Sequence, residues 1–354
     1  MDVARDDILA KRQTRIRNRL ILALAMAIVV LAFALLSLLV DTHGLSWADE
    51  FLAIFGQGSY EANIVVGNIR GRRVAAAIIV GFGLSVSGAV MQSSLKNPMA
   101  SPSTLGVSEA ATFGATLAIL FLQSGSLGNG AISISNPYAV TSIAFVFSLI
   151  SIMAVLALSK IRKFSPEVVA LSGVALGMMF QAGTNMVQYF ASDTALTSAV
   201  YWTFGDLGRA TYSQDWIMLA AVGASTIVFF FLSRSLNALE EGDDTASALG
   251  VRAGAVRFVC LALASLVTAV SVSFVGIIGF IGLVIPQVVR RIFGSDSRFM
   301  LLFSGLVGSA SLLICDLASR VIMPGTNLPV GAITAIIGAP IFIYILLTNG
   351  RRAK

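Results

Sequence analysis

Residues 258–289 read FVCLALASLVTAVSVSFVGIIGFIGLVIPQVV, 32 positions without a charged side chain, interrupted by Gly276, Gly279 and Gly282. At about 1.5 Å rise per residue, one helix of that length overshoots a hydrocarbon core of about 30 Å by half its length. The stretch is therefore expected to fold back near its glycines and to supply two spans, about 256–275 and 277–292. The parity has a consequence, because it decides whether the two ends of the chain lie on the same side of a membrane.

The rest of the sequence has the same character. The chain is 354 residues long, 56% hydrophobic and only 12% charged, which excludes an ordinary soluble domain. Uncharged runs at 20–40, 74–95, 110–159, 168–192, 216–233, 299–315 and 321–350 are each near or above the length of a membrane helix, and 110–159 is long enough for two. The run at 20–40 follows a basic stretch but is too long for a signal peptide's apolar region, and no small-residue cleavage site follows, so it reads as an uncleaved first span. The expected fold is an all-α polytopic membrane protein of about ten helices: 20–40, 74–94, 104–122, 138–159, 168–190, 215–233, 256–275, 277–292, 299–321 and 330–348. A basic segment 1–19 precedes the single transmembrane domain 20–350, a connecting loop occupies 234–257, and a short tail 351–354 follows.

Charge sets the orientation. With ten spans and the N-terminus inside, the inner segments collect 19 of the 24 Lys and Arg residues, from Arg5 and Arg19 through Lys160, Arg257 and Arg290 to Lys354. Nine spans would place Arg351, Arg352 and Lys354 outside, so both termini are expected in the cytoplasm. The formal net charge of +6 thus reads as inner-side bias and not as a nucleic-acid footprint. The outer exceptions are Arg70, Arg72, Arg73, Arg209 and Arg320. They read either as snorkelling anchors or, because three fall within four positions, as a patch for an external acidic partner.

The fifth span carries a polar stripe: Gly173, Gly177, Gln181 and Asn185, with Thr184 and Gln188 offset, share one helix face. It fits either helix–helix glue through the Gly173-x-x-x-Gly177 pair or the lining of a solute path. Few ionisable groups lie within spans. Asp316 stands four residues before Arg320, the spacing of a helical ion pair, and Glu109, with no evident partner, is expected at the membrane interface in preference to a pathway. His43 is the single histidine, which excludes a histidine-based metal or haem site in one copy, and the phosphate loop G-x-x-x-x-G-K-[ST] is absent. No Ser/His/Asp or Cys/His set can be built without that one His43, so the chain is expected to be non-catalytic and to bind no cofactor or metal itself. Cys260 and Cys315 sit in apolar runs and are expected to pack. In the loop 234–257, Asp243 and Asp244 are expected to cap a short helix ending at Gly250, with Ala246 and Leu249 on one side, serving as a plain connector or a docking helix.

Motifs in order along the chain are Ile69-Arg70-Gly71-Arg72-Arg73, Ser87-Gly88-Ala89-Val90-Met91-Gln92, Asn97-Pro98-Met99-Ala100, Leu105-Gly106-Val107-Ser108, and Leu171 through Gly177. Then come Tyr201-Trp202, Leu236-Asn237-Ala238-Leu239, Gly279 through Pro286, Leu328-Pro329-Val330-Gly331, and Gly338-Ala339-Pro340. Together, over about 70–352, they resemble the permease subunits of ATP-binding-cassette importers for iron–siderophore complexes, haem and vitamin B12. The resemblance implies ten helices, a homodimer around the pathway, two ATP-binding subunits that hold ATP and Mg, a periplasmic or lipid-anchored substrate-binding protein, and a prokaryotic cytoplasmic (inner) membrane. It implies that Arg70, Arg73 and Arg320 dock the binding protein and that Gly173, Gly177, Gln181, Thr184, Asn185 and Gln188 line the path. It further implies a cytoplasmic gate near Asn97, Met99, Pro166 and Glu167. Leu236, Asn237, Ala238, Leu239, Ala246, Leu249 and Gly250 are implied to couple to the ATPase. Four departures stand out: Arg72 replaces a usual proline, Gln287 a common histidine, and Glu109 a small or amide residue, while Pro166 and Glu167 match by position alone. The competing expectation is a secondary transporter or channel without ATPase partners. The lack of paired midplane carboxylates counts against it.

Overall fold

The computed structural model describes residues 2–40, 45–122, 125–128, 131–134, 136–323 and 328–349. His43 and the tail 351–354 lie outside the described residues. In chain order the helices are α1 (Asp2–Leu39), α2 (Trp47–Ile54), α3 (Tyr60–Asn63), a π-helical turn (Ile64–Arg70), α4 (Gly71–Leu95), a 3₁₀ turn (Pro102–Leu105), α5 (Val107–Phe121), α6 (Pro137–Ile161) and α7 (Pro166–Tyr189). They continue with α8 (Asp193–Thr203), a 3₁₀ turn (Leu207–Arg209), α9 (Tyr212–Glu241), α10 (Asp243–Ala248), α11 (Ala253–Val275), α12 (Ile281–Phe293), α13 (Ser297–Val321) and α14 (Val330–Asn349). Between α5 and α6 lies a short antiparallel hairpin, β1 (Gly125–Gly128) and β2 (Ala131–Ile134), with Gly125 opposite Ile134. The apolar sequence gave no sign of it.

Among the described residues, eight helices are long and apolar enough to cross a membrane: Ile16–Leu39, Tyr60–Leu95, Pro137–Ile161, Pro166–Tyr189, Tyr212–Glu241, Ala253–Val275, Ser297–Val321 and Val330–Thr348. The protein is a helical, multi-pass membrane protein. Two of the ten expected segments are helices of reduced length, α5 with 15 residues and α12 with 13.

The stretch 258–289 breaks where its glycines stand. Gly276 (φ +79°) ends α11 and Phe280 (φ +66°) precedes α12. The reversal is fixed at both ends. At the start of α11, Arg257 donates to the Ser94 carbonyl (2.8 Å), and near the end of α12, Arg290 donates to Ser93 Oγ (3.1 Å). Both groups therefore meet the C-terminal end of α4, so α11 leaves that end and α12 returns to it. The far end of α11 is tied to other chain segments, with Asp206 N–H on the Val275 carbonyl (2.8 Å) and Val330 N–H on the Gly205 carbonyl (3.0 Å). Arg19 pairs with Asp296 (3.1 Å) just before α13, and Arg291 donates to Thr348 (2.7 Å), so the described ends of the chain share one end of the bundle.

At the centre of the bundle α4 is enclosed along most of its length. Its small residues allow this. A Cβ at Gly88 would fall on the Gly282 carbonyl of α12, and one at Gly81 would lie 2.5 Å from the Gly308 carbonyl of α13. Pro286 explains the first contact: lacking an N–H, it leaves the Gly282 carbonyl without its intrahelical donor, and that carbonyl rests on the α4 backbone. Cys260 and Cys315 are both buried, as expected.

Candidate functional site: a broken-helix junction within the bundle

Lys96 closes α4 in the left-handed region (φ +50°) and turns the chain back. Residues 97–106 then climb along α12: Gln287 donates to the Pro98 carbonyl (3.1 Å), and Pro102 Cδ lies 3.7 Å from where a Gly282 Cβ would stand. Ala100, Ser101, Pro102 and Leu105 are buried. Non-helical backbone at such depth is tolerated only inside protein, and a capping box between Ser101 and Thr104 satisfies part of it. Consequently α5 and α12 both begin at this internal junction and run toward opposite ends. Gln92 on α4 stitches the junction, donating to the Leu283 carbonyl (3.0 Å) and accepting from Gln287 Nε2 (2.5 Å). An amide at position 287 thus does a fixed hydrogen-bonding task without a titrating group.

The stripe on α7 divides. Gly173, Gly177 and Thr184 are buried, Gln188 is half-buried, and Gln181 and Asn185 are exposed. Gly173 and Gly177 pack on 104–106: a Cβ at Gly173 would lie 2.5 Å from the Thr104 carbonyl, and one at Gly106 would lie 2.9 Å from Gly177 N. These two glycines are the close-approach pair that the glue reading required. Thr184 donates to the Phe180 carbonyl (2.9 Å). Gln181 and Asn185 bond each other (3.0 Å) and present their remaining capacity outward, among exposed Val174, Met178 and Met186.

Glu109 has neighbours that its sequence position did not reveal. It sits in the first turn of α5 beside α7, its Cδ 3.8 Å from the position of a Gly177 Cβ, and one buried carboxylate oxygen has no hydrogen-bond partner. With Thr104, Gly173, Gly177, Met178 and Gln181 it lines a cavity of about 340 Å³. The expected gate residues are separate features. Asn97 Oδ1 accepts from Met99 N–H (2.9 Å) and Met99 is exposed, whereas Pro166 and Glu167 form the first turn of α7, capped by Ser165. Among the described residues no hydrogen bond or ion pair joins the two pairs.

Arg70, Arg73 and Arg320 are buried, at 2%, 4% and 6% exposure, and each is held by partners within the chain. Arg70 pairs with Glu50 (2.7 Å) and donates to the Leu38 carbonyl (2.8 Å). Arg73 pairs with Asp316 (2.8 Å) and Asp206 (3.1 Å), while Arg320 pairs with Asp316 (3.3 Å) and donates to the Ser37 carbonyl (3.0 Å). Three cations meet three carboxylates and the last carbonyls of α1, so the cluster clamps α1, α2, α4 and α13 together. Arg209 does similar work on α8, donating to the carbonyls of Tyr201, Trp202 and Phe204; burial lowers its pKa, with Asp206 opposing.

The residues expected to couple to an ATPase fall in separate places. Leu236, Ala238 and Leu239 belong to the last turns of α9 and are buried in the core. Asn237 holds the α13 start, accepting from Ser297 N–H (2.8 Å) and donating to Asp296 (3.3 Å). The helix α10 ends at Ala248, short of the expected Gly250; Ala246 within it is buried, while Leu249 just past its end is 68% exposed and Gly250 is exposed, so the two apolar side chains point to different surroundings. Asp243 and Asp244 lie in the first turn and do not cap it. Asp243 instead binds Arg257 through two bonds (2.6 and 2.8 Å), which hold its carboxyl below the usual carboxylate range. Sequence reasoning missed Glu50, Asp206 and Glu240 as partners. Glu240 accepts from Arg290 (2.8 Å) and from Ser93 (2.6 Å).

Comparison with known proteins is consistent along nearly the whole chain. It is 43% identical over 347 residues to a Methanocaldococcus jannaschii protein named as an ABC transporter permease, MJ0087, covering 98% of this chain and 99% of that one. It is 35% identical over 343 residues to the vitamin B12 import system permease protein BtuC of Escherichia coli, covering 97% and 99%. A solved inward-facing structure of a metal-chelate type ABC transporter matches with a TM-score of 0.80 and 26% identity, over 92% of this chain and 99% of that one. The FecCD transport family model matches residues 28–348, and the chain belongs to that family.

Proposed function

We propose that this chain is the permease subunit of an ATP-driven importer for a bulky metal chelate or cobalamin, crossing the membrane ten times with both ends in the cytoplasm. The observation that carries the reading is full-length likeness to a vitamin B12 permease in a chain whose α5 and α12 start at one internal junction. Broken helices of this kind are where transporters bind and pass solutes. The two short helices count as the third and eighth spans, and the shared end of Arg19 and Thr348 is the cytoplasmic one, in keeping with the arginine and lysine bias.

The exposed face of α7, with Gln181 and Asn185 among methionines, meets a second copy and lines the path between them. Glu109 stands at its edge. ATP hydrolysis occurs on two partner subunits engaged by Leu249 and Gly250, and a binding protein docks on the outer loops that the arginine cluster holds in place. Access alternates as α5 and α12 shift about their common start. Non-helical backbone already in place there lets the helices move without first breaking a continuous hydrogen-bond ladder.

Uptake of radiolabelled cobalamin and of a ferric siderophore by cells expressing the chain with its ATPase tests the assignment. Uptake of one, abolished by ATP depletion and retained under an uncoupler that spares ATP, is expected. Uptake that survives removal of the ATPase but collapses with the uncoupler refutes it in favour of a secondary carrier. An epitope after Lys354 reached from outside the cell refutes the ten-span orientation.

A further inference from the structure

Where α6 ends and α11 begins, beside α10, the chain forms an open pocket of about 850 Å³ that the transport reading does not use. Four cations line it: Lys160 in the last turn of α6, Lys163 in the turn that follows, and Arg252 and Arg257 at the head of α11. Arg257 is matched by the lining carboxylate Asp243. Lys160, Lys163 and Arg252 are exposed, and no described carboxylate lies within ion-pair distance of them. Four positive charges less one negative leave three uncompensated.

The wall formed by Phe164 and by α11 between Arg252 and Val259 is otherwise apolar. Phe258 is 46% exposed on the membrane helix α11 and meets Phe164 edge-on at 5.8 Å. The turn carrying Lys163 is held in place by Phe164 N–H on the Ser159 carbonyl (2.8 Å). A pocket that is cationic at the water side and aromatic along a spanning helix matches a molecule with an anionic head and a hydrocarbon tail. A small soluble anion would use the charges and leave the Phe258 side unoccupied. Basic pockets between spanning helices are suited to phosphate headgroups.

We propose that this cavity binds the phosphodiester headgroup of an anionic membrane lipid, with Lys160, Lys163 and Arg252 on the phosphate and an acyl chain along Phe258. The site rests on the multi-pass membrane reading alone and not on the identity of the transported solute. Because Asp243 and Ser247 of α10 share the cavity wall, the bound headgroup touches the helix next to the proposed ATPase contact.

The test reconstitutes the full chain in nanodiscs of phosphatidylcholine with a minor share of phosphatidylglycerol, re-extracts it in detergent, and counts retained lipid by native mass spectrometry. The parent is expected to keep phosphatidylglycerol preferentially. The combined substitution Lys160→Gln, Lys163→Gln, Arg252→Gln should lower that preference about five-fold per cation, on the order of 100-fold in all, with phosphatidylcholine retention and the melting midpoint unchanged. The arginine-bearing pair Lys160→Arg, Lys163→Arg should retain the preference, which keeps the outcome readable if the neutral variant fails to fold. Equal retention by parent and neutral variant overturns the proposal. Displacement of the lipid by millimolar inorganic phosphate overturns it in favour of a soluble-anion site. Loss of ATPase binding by the neutral variant in lipid-free detergent overturns it in favour of a partner-protein site.

Discussion

Asp316→Asn tests the idea that the outer arginines hold the fold together. Asp316 is fully buried on α13 and faces Arg73 at 2.8 and 3.0 Å and Arg320 at 3.3 Å. Asparagine keeps the shape and removes the charge. Arg73 retains Asp206, which is 44% exposed, whereas Arg320 is left, among the described residues, with the carbonyl and hydroxyl of Ser37 and no carboxylate. Breaking a buried pair from one side costs about 3–5 kcal/mol, because the orphaned cation stays out of water. Most of that cost falls on Arg320, so adding Arg320→Gln to Asp316→Asn should recover roughly half of it, about 1.5–2.5 kcal/mol, making the double variant more stable than the single one. Thermal unfolding in detergent, followed by tryptophan emission, reads both numbers as midpoint shifts. An unchanged midpoint for Asp316→Asn, with weakened attachment of an external protein, would refute the reasoning and restore the arginines to a docking role.

Four further outcomes follow from the contacts. Gly88→Val should abolish folded, monodisperse protein on size-exclusion chromatography because its side chain lands on the Gly282 carbonyl, while Gly223→Ala, with nothing within 4 Å, should be neutral or gain about 0.5–1 kcal/mol. Leu249→Glu should leave the melting midpoint alone and weaken ATPase co-purification, whereas Ala246→Glu, a charge forced into a buried site, should lower the midpoint itself. The Asp243–Arg257 link depresses the folded carboxyl, so its stabilisation is complete above about pH 4 and disappears as pH falls through the lowered value; amide protection factors of α10, corrected for intrinsic exchange, should be flat from neutral pH down to that point and then fall, and Asp243→Asn should remove the step. Glu109→Gln should leave stability unchanged or slightly raised, since one carboxylate oxygen is buried without a partner, and should raise uptake of an anionic chelate relative to a cationic one in the transport assay.

The sequence was most informative where physics is local. A run of 32 uncharged residues cannot be one span, and the break falls between Gly276 and Phe280, where both flanking residues have positive φ. The periodicity of α7 placed its polar residues on one side but not the depth of each, because burial there is decided by residues 104–106 approaching Gly173 and Gly177. The start of α5 was misplaced by three residues for the same reason: a left-handed Lys96 sends residues 97–106 back along α12, and 104–106, which pack on Gly173 and Gly177, read as the head of the helix in sequence. The arginine partners lie 20, 133 and 243 positions away in Glu50, Asp206 and Asp316, beyond any helical spacing except the Asp316–Arg320 pair. In α10, spacing alone could not tell which of Ala246 and Leu249 faces inward, since packing against its own chain chooses the side.

Both native thiols are sequestered, Cys260 at 0% and Cys315 at 5% exposure, and the sequence contains no others. A maleimide or nitroxide reagent applied to the unmodified background should therefore leave little trace. One engineered sulfhydryl at Leu249, Met99 or Gln181 then reports from its own position, and distance measurements between subunits can begin without first stripping the protein of its cysteines.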